Sequence, residues 1–275
     1  MKRLKSSINN GNESALRDLM TVETRNVLKV LDEMYPNQNV EVDILTDWLL
    51  RIKELTKPIS VLTSVLAYYG KTESHYKLLI ETLERFTSLE NRDGKAYLIT
   101  LKYLPIQTVF YSISISLVMA KKHDLLNDIF TKIEVRKREY DRQPFALYIS
   151  REEEWGKIPE MIYPNNRKRL PFEVLLLNSN LEEIFTSNQL AFDSTEFKMY
   201  YDLFEFLRSI KARYQEDHHY FTGCFGYKLD RSHIVNFLKE GAMEENWEVL
   251  SLFGNSKDNF GTTLKTLVEA LNRQP

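Results

Sequence analysis

The sequence predicts an all-α protein built from antiparallel helix pairs, as a bundle or an irregular α-solenoid. A short extended aromatic-glycine insert is expected near the C-terminus. Three observations carry this. Apolar residues recur three and four apart along most of the chain. The stretches between those periodic segments are short, as in helical hairpins. With 9 Gly and 8 Pro among 275 residues, little material is left for the many tight turns of a β-sandwich or barrel.

Asn12 is placed to cap a first helix through Tyr35, whose apolar positions include Leu16, Leu19, Met20, Val27, Leu28, Leu31 and Met34. Pro36 ends it. A second helix is expected over Val42 to Leu55, with Ile44, Leu45, Trp48, Leu49 and Ile52 on one face. Thr56-Lys57-Pro58 reads as a break, with Pro58 in the first turn of a third helix that Gly70 stops. Thr72 caps the next, Glu73 to about Leu89. Asn91-Arg92-Asp93-Gly94 is a turn, and a short helix leads to Tyr103.

Pro105 opens the most apolar helix of the chain, running to about Lys122. The alternation Ser112-Ile113-Ser114-Ile115-Ser116 has strand period as well, but the length of the segment and its opening proline favour a helix. It is too short and too rich in hydroxyls to span a membrane, so it reads as a buried central helix. Asp124 to Ile133 completes a hairpin with it.

The texture changes at Glu134. Arg136-Lys137-Arg138 precedes Tyr140, Pro144, Trp155, Pro159 and Tyr163, and a second basic cluster follows at Arg167-Lys168-Arg169. This divides the chain into an N-terminal helical subdomain (1–135), a connecting segment (136–170) and a C-terminal helical subdomain (171–275). Helices resume over Pro171 to Phe185 and after Asp193, where Asp193 and Glu196 have capping-box spacing, reaching about Tyr214. Tyr220 to Leu229, with two glycines among four aromatics, is the extended insert. A helix from Arg231 to Lys239 ends at Gly241, another from Trp247 to Phe253 is stopped by Gly254, and the last covers Thr262 to Leu271.

A chain of this size buries enough surface to fold without disulfides or metal. Its single cysteine, Cys224, excludes a disulfide framework and suits a reducing cytoplasm. Residues Met1 to Asn10 carry no apolar run of a secretory signal. Net charge is −2, from 37 basic and 39 acidic residues, which lacks the global footprint of a dedicated nucleic-acid binder.

No catalytic motif survives comparison with a plainer structural reading. His218, His219, Cys224 and His233 are dense in potential zinc ligands, but their spacing fits no common zinc pattern, and a solvated helix end accounts for them. Cys224 lacks a flanking oxyanion signature and reads as a buried cysteine. Glu196-Phe197-Lys198 has the letters of a nuclease acid-x-lysine pair, yet Asp193 is too close and the segment is helical. Phosphate-cradling glycine loops and dinucleotide fingerprints are absent, so neither metal nor cofactor is expected.

Two sets of binding residues remain. Arg136, Lys137, Arg138, Arg167, Lys168 and Arg169, with interleaved aromatics, have the composition of a single-strand nucleic-acid groove, although nearby acids almost cancel the charge. Phe221, Phe225, Tyr227 and Trp155 are candidate contacts for a protein partner.

Two further segments, Trp48 to Gly70 and Tyr103 to Leu126, together resemble the helical C-terminal regions attached to many bacterial antiphage and conflict-system effectors. Phe221 to Lys228, a following helix, a tryptophan and the stop at Leu252-Phe253-Gly254 resemble the glycine-phenylalanine motif that closes such regions. In those families the helical region follows an N-terminal catalytic domain. Here the helices begin at Asn12, so the resemblance implies a partner subunit or a separated fragment and transfers no catalytic residue. The expected function is a non-enzymatic interaction module, a sensor, adaptor or regulatory subunit of a defence complex in the cytoplasm. Its expected partner is a protein or a second copy. A nucleic-acid-associated subunit and an enzyme with a dispersed site are the alternatives.

Overall fold

The computed structural model describes residues 8, 12–33, 40–88, 101, 103–138, 141–148, 172–216, 232–244 and 247–272. Within them the protein is all-α apart from one two-stranded hairpin. Helix α1 covers Glu13–Glu33, α2 Val42–Tyr69, α3 Glu73–Thr87, α4 Tyr103–Met119 and α5 His123–Lys132. Strands β1 (Glu134–Arg138) and β2 (Asp141–Pro144) lead into a single turn, α6 (Phe145–Tyr148). Then come α7 (Phe172–Ser187), α8 (Ser194–Glu216), α9 (Ser232–Met243), a 3-10 helix (Glu248–Phe253) and α10 (Lys257–Asn272).

Local chemistry sets many of the boundaries. Asn12 Oδ1 accepts from the Ala15 amide, as the cap of α1 requires. Thr72 caps α3 in a box with His75, whose Nδ1 accepts from the Lys71 and Thr72 amides. At the other end of α2, the Lys122 ammonium donates to the carbonyls of Ala67 (2.8 Å), Tyr68 (3.0 Å) and Gly70 (2.6 Å). These are the orphan acceptors of a helix terminus, and a cation there also complements the dipole. Lys122 follows α4 closely, so α2 and α4 end together and run the same way. Arg17 to Glu81 and Arg85 to Thr21 likewise align α1 with α3. Thr72, just past the end of α2, donates to Glu13 at the start of α1, so α1 and α2 run opposite ways and direction alternates over α1 to α4.

Helix α4 is buried from Tyr103 to Val118 and packs on α2, α3, α5, α7 and α8. Its hydroxyls do not disturb that burial: Thr108, Ser112 and Ser116 each donate to the carbonyl four residues back. An aromatic cluster of Phe110, Tyr111, Phe130, Phe145 and Phe204 joins α4, α5, α6 and α8, with adjacent centroids 4.9 to 6.2 Å apart. Helices from before and after the hairpin contribute to the same hydrophobic core.

Three expectations are corrected. Pro58 does not start a new helix; α2 continues through it. An interior proline costs about 3 kcal/mol, but burial of Leu49, Ile52 and Ile59, at roughly 1.5–3 kcal/mol each, holds the helix continuous. Gly241 does not end α9, which runs to Met243; its missing side chain makes room for Trp247 instead. At the start of the expected connecting segment, β1 and β2 form a β-hairpin. Val135 pairs with Gln143, both buried, and a register shift between Arg136 and Arg138 closes the ladder. The last helix begins at Lys257, not Thr262, because the Ser256 hydroxyl accepts from the Asn259 amide and caps it there.

The Gly254 stop holds: its φ of +66° is left-handed and closes what is a 3-10 helix. The insert at Tyr220–Leu229 and the Asn91–Gly94 turn lie outside the described residues.

Candidate functional site

Helix α8 is buried on every side from Tyr201 to Ala212. Asp202, Glu205, Arg208 and Lys211 nevertheless fall in that stretch, three residues apart, at 2%, 0%, 1% and 6% exposure. Three residues turn a helix by about 300°, so the stripe drifts by about 60° per step and winds about half way round the helix. Each member therefore meets a different neighbour.

Asp202 Oδ2 lies 3.7 Å from Nε2 of His233 on α9. Glu205 takes the Arg208 guanidinium in a two-point pair, Nε to Oε1 at 3.1 Å and Nη2 to Oε2 at 2.9 Å. Arg208 Nη1 also donates to the Ala146 carbonyl on α6, at 3.4 Å. Lys211 Nζ donates to the Leu252 carbonyl of the 3-10 helix, at 2.6 Å. The acids lie toward the N-terminal end of α8 and the bases toward its C-terminal end, the order its dipole favours. Their charges sum to zero. This stripe ties α6, α9 and the 3-10 helix to α8.

The stripe acts on its surroundings. Burial pushes the Tyr111 phenol well above its ordinary range; Arg208 opposes that and Glu205 adds to it. Burial lowers Lys211 to about 8. On the same face of α4 as Tyr111 are Gln107 and Ser114, whose side-chain polar atoms are buried without hydrogen-bond partners among the described residues. Elsewhere, His123 Nδ1 on α5 faces Glu248 at 3.7 Å, and burial lowers its pKa against the pull of that carboxylate. Among the described residues, no three His, Cys, Asp or Glu side chains group to hold a metal.

The surface has a different feature. In the turn between α7 and α8, Phe192 is 92% exposed. Its backbone is held firmly. Phe192 N donates to Glu196 Oε2 at 2.5 Å, while Asp193 Oδ1 accepts from the Thr195 and Glu196 amides at 2.8 and 2.9 Å. The expected Asp193–Glu196 cap is thus present, with the glutamate reaching one residue further upstream than in a capping box. Ser194 and Glu182 join the two helices across the turn. Met199, on α8, is also exposed.

Of the residues singled out from the sequence, Arg136, Lys137 and Arg138 belong to β1. Arg167, Lys168, Arg169, Trp155, Phe221, Phe225 and Tyr227 lie outside the described residues, as do His218, His219 and Cys224. Glu196 and Lys198 are on α8, and Phe197 between them is buried, so that segment is helical as expected. Sequence reasoning missed the α8 stripe and Phe192. The signal for the stripe was present: charges at every third position from 202 to 211 stand among aromatic and aliphatic residues and wind round the helix instead of lining one polar face.

Comparison with known protein families, with curated proteins and with solved structures finds no match to this chain. No helix among the described residues is long and apolar enough to cross a membrane.

Proposed function

We propose that this chain is a non-enzymatic helical interaction module whose partner-facing anchor is the turn carrying Phe192. The observation that carries this reading is an almost fully exposed aromatic side chain on a backbone fixed by hydrogen bonds at both flanks. An aromatic anchor presented on rigid backbone loses little conformational freedom on binding, and such residues dominate interface energetics.

The ionisable groups of the interior support the same reading. Arg208, held by Glu205, reaches the Ala146 carbonyl on α6 and Lys211 the Leu252 carbonyl of the 3-10 helix, so these charges act as ties between helices. The resemblance to the helical regions of antiphage effectors supplies the setting, a sensor, adaptor or regulatory subunit of a bacterial defence-type complex. Affinity purification of the native protein, with and without nuclease, tests the reading. A nuclease-resistant, stoichiometric protein partner is expected. Material that carries only nucleic acid, or is a bare monomer, overturns it.

A further inference from the structure

The β1–β2 hairpin has one covered face and one open face. Its strands pack on α3, α5 and α6. Val135 and Gln143, paired in the ladder, are buried on that side. Positions alternate across a strand, so 134, 136, 142 and 144 share the opposite face. On it the Arg142 side chain is 69% exposed and that of Glu134 43%. The register sets Arg136 directly opposite Arg142.

Like charges directly opposite each other destabilise an antiparallel pair, so the register itself gains nothing from two arginines there. Glu134 lies 3.9 Å from Arg142 Nη1, which leaves one carboxylate against two cations on this face. The acids of residues 134–142 stand at the ends of the hairpin, Glu134 at its start and Glu139 and Asp141 at its turn. The paired middle is basic. An anion there offsets the repulsion, and arginine meets phosphate oxygens and guanine edges at two points. Shape chooses among polyanions. A two-stranded ribbon fits the major groove of B-form DNA, about 12 Å wide, whereas the deep, narrow major groove of an RNA duplex excludes it.

We propose that the open face of the β1–β2 hairpin docks in the major groove of duplex DNA. Arg136 and Arg142 supply the contacts from paired positions, about 5 Å apart between Cα atoms. The inner face stays packed on the helices, so the ribbon enters as part of the folded body. Phe192 takes no part in this contact, and the two surfaces stand or fall separately.

The test is fluorescence anisotropy of the full chain with a labelled DNA duplex of about 20 base pairs and the RNA duplex of the same sequence, over roughly 25 to 200 mM salt. DNA is expected to bind at least about tenfold tighter than RNA. Replacing both arginines, Arg136→Gln with Arg142→Gln, should weaken DNA binding at least about tenfold and lower the slope of log affinity against log salt by about two. Lys239→Gln, at an exposed position on α9, and Phe192→Asp should change neither. No DNA binding at the lowest salt, equal affinity for the two duplexes, or a double variant that binds as Lys239→Gln does would each overturn the proposal. The comparison of duplexes uses the wild-type chain, so it decides even where the double variant fails to fold.

Discussion

The indole of Trp247 occupies the place of the side chain that Gly241 lacks. A β-carbon on Gly241 would lie 2.2 to 2.5 Å from three indole carbons. Trp247 in turn packs on Phe237 and Phe260, with centroids 5.1 Å away in each case, so the glycine lets an aromatic cluster close over α9. Gly241→Ala is expected to destabilise the protein by about 1–3 kcal/mol, the usual cost of overpacking. Urea denaturation checks this. An unchanged midpoint would show that Trp247 can move aside freely.

The Glu205–Arg208 pair makes a sharper prediction, because burial makes removal of one partner worse than removal of both. Arg208→Met alone should cost about 3–5 kcal/mol by stranding a buried carboxylate. Adding Glu205→Met should recover most of that loss. A double-mutant cycle with additive losses would mean that the pair is not coupled.

Loss of the cap at Asp193 should be modest for stability. Asp193→Ala is expected to cost about 1 kcal/mol, since two amides at the start of α8 lose their acceptor. The same change frees the backbone at Phe192, so partner affinity should fall with it. Titration calorimetry against the purified partner, beside thermal melts, separates the two effects.

Acid should weaken the fold through His75 and His123. Burial lowers both pKa values below the ordinary 6.5, aided at His75 by Lys122 and opposed at both by a carboxylate. Between the lowered folded values and about 6.5 the unfolded chain binds more protons, so stability rises with pH there. This contribution is complete above about pH 6.5 and is lost as pH falls through the folded values. At His75 protonation would also remove the acceptor that Lys71 and Thr72 use. Urea midpoints from pH 7.5 to 5 should fall, and His123→Gln should flatten the slope.

Much of the fold was legible in the sequence, where local chemistry decides. Thr72 caps, Gly254 stops, and the uncharged, largely apolar run of residues 105–118 marks a central helix. The misread positions are those where packing overrides local preference. Pro58 reads as a break until the burial of α2 on both sides of it is known. Gly241 reads as a stop until Trp247 is placed against it. Arg136-Lys137-Arg138 reads as a charge cluster, and only the pairing of Val135 with Gln143 shows a strand. The burial of Asp202, Glu205, Arg208 and Lys211 goes unread, because charged side chains are usually solvated. Phe192 carried no signal, since one aromatic before a cap is more often turned inward.

The central claim is that the Phe192 turn anchors a protein partner. Wild-type protein and Phe192→Asp, purified in parallel from native cells after nuclease treatment, test it most directly by quantitative mass spectrometry of what is retained. A surface change here should leave the thermal melt within about 0.5 kcal/mol of wild type. The account predicts one stoichiometric protein retained by wild type and reduced at least about tenfold by Phe192→Asp, the loss expected for an interface hot spot. Equal retention by both proteins, with the melt unchanged, would contradict it.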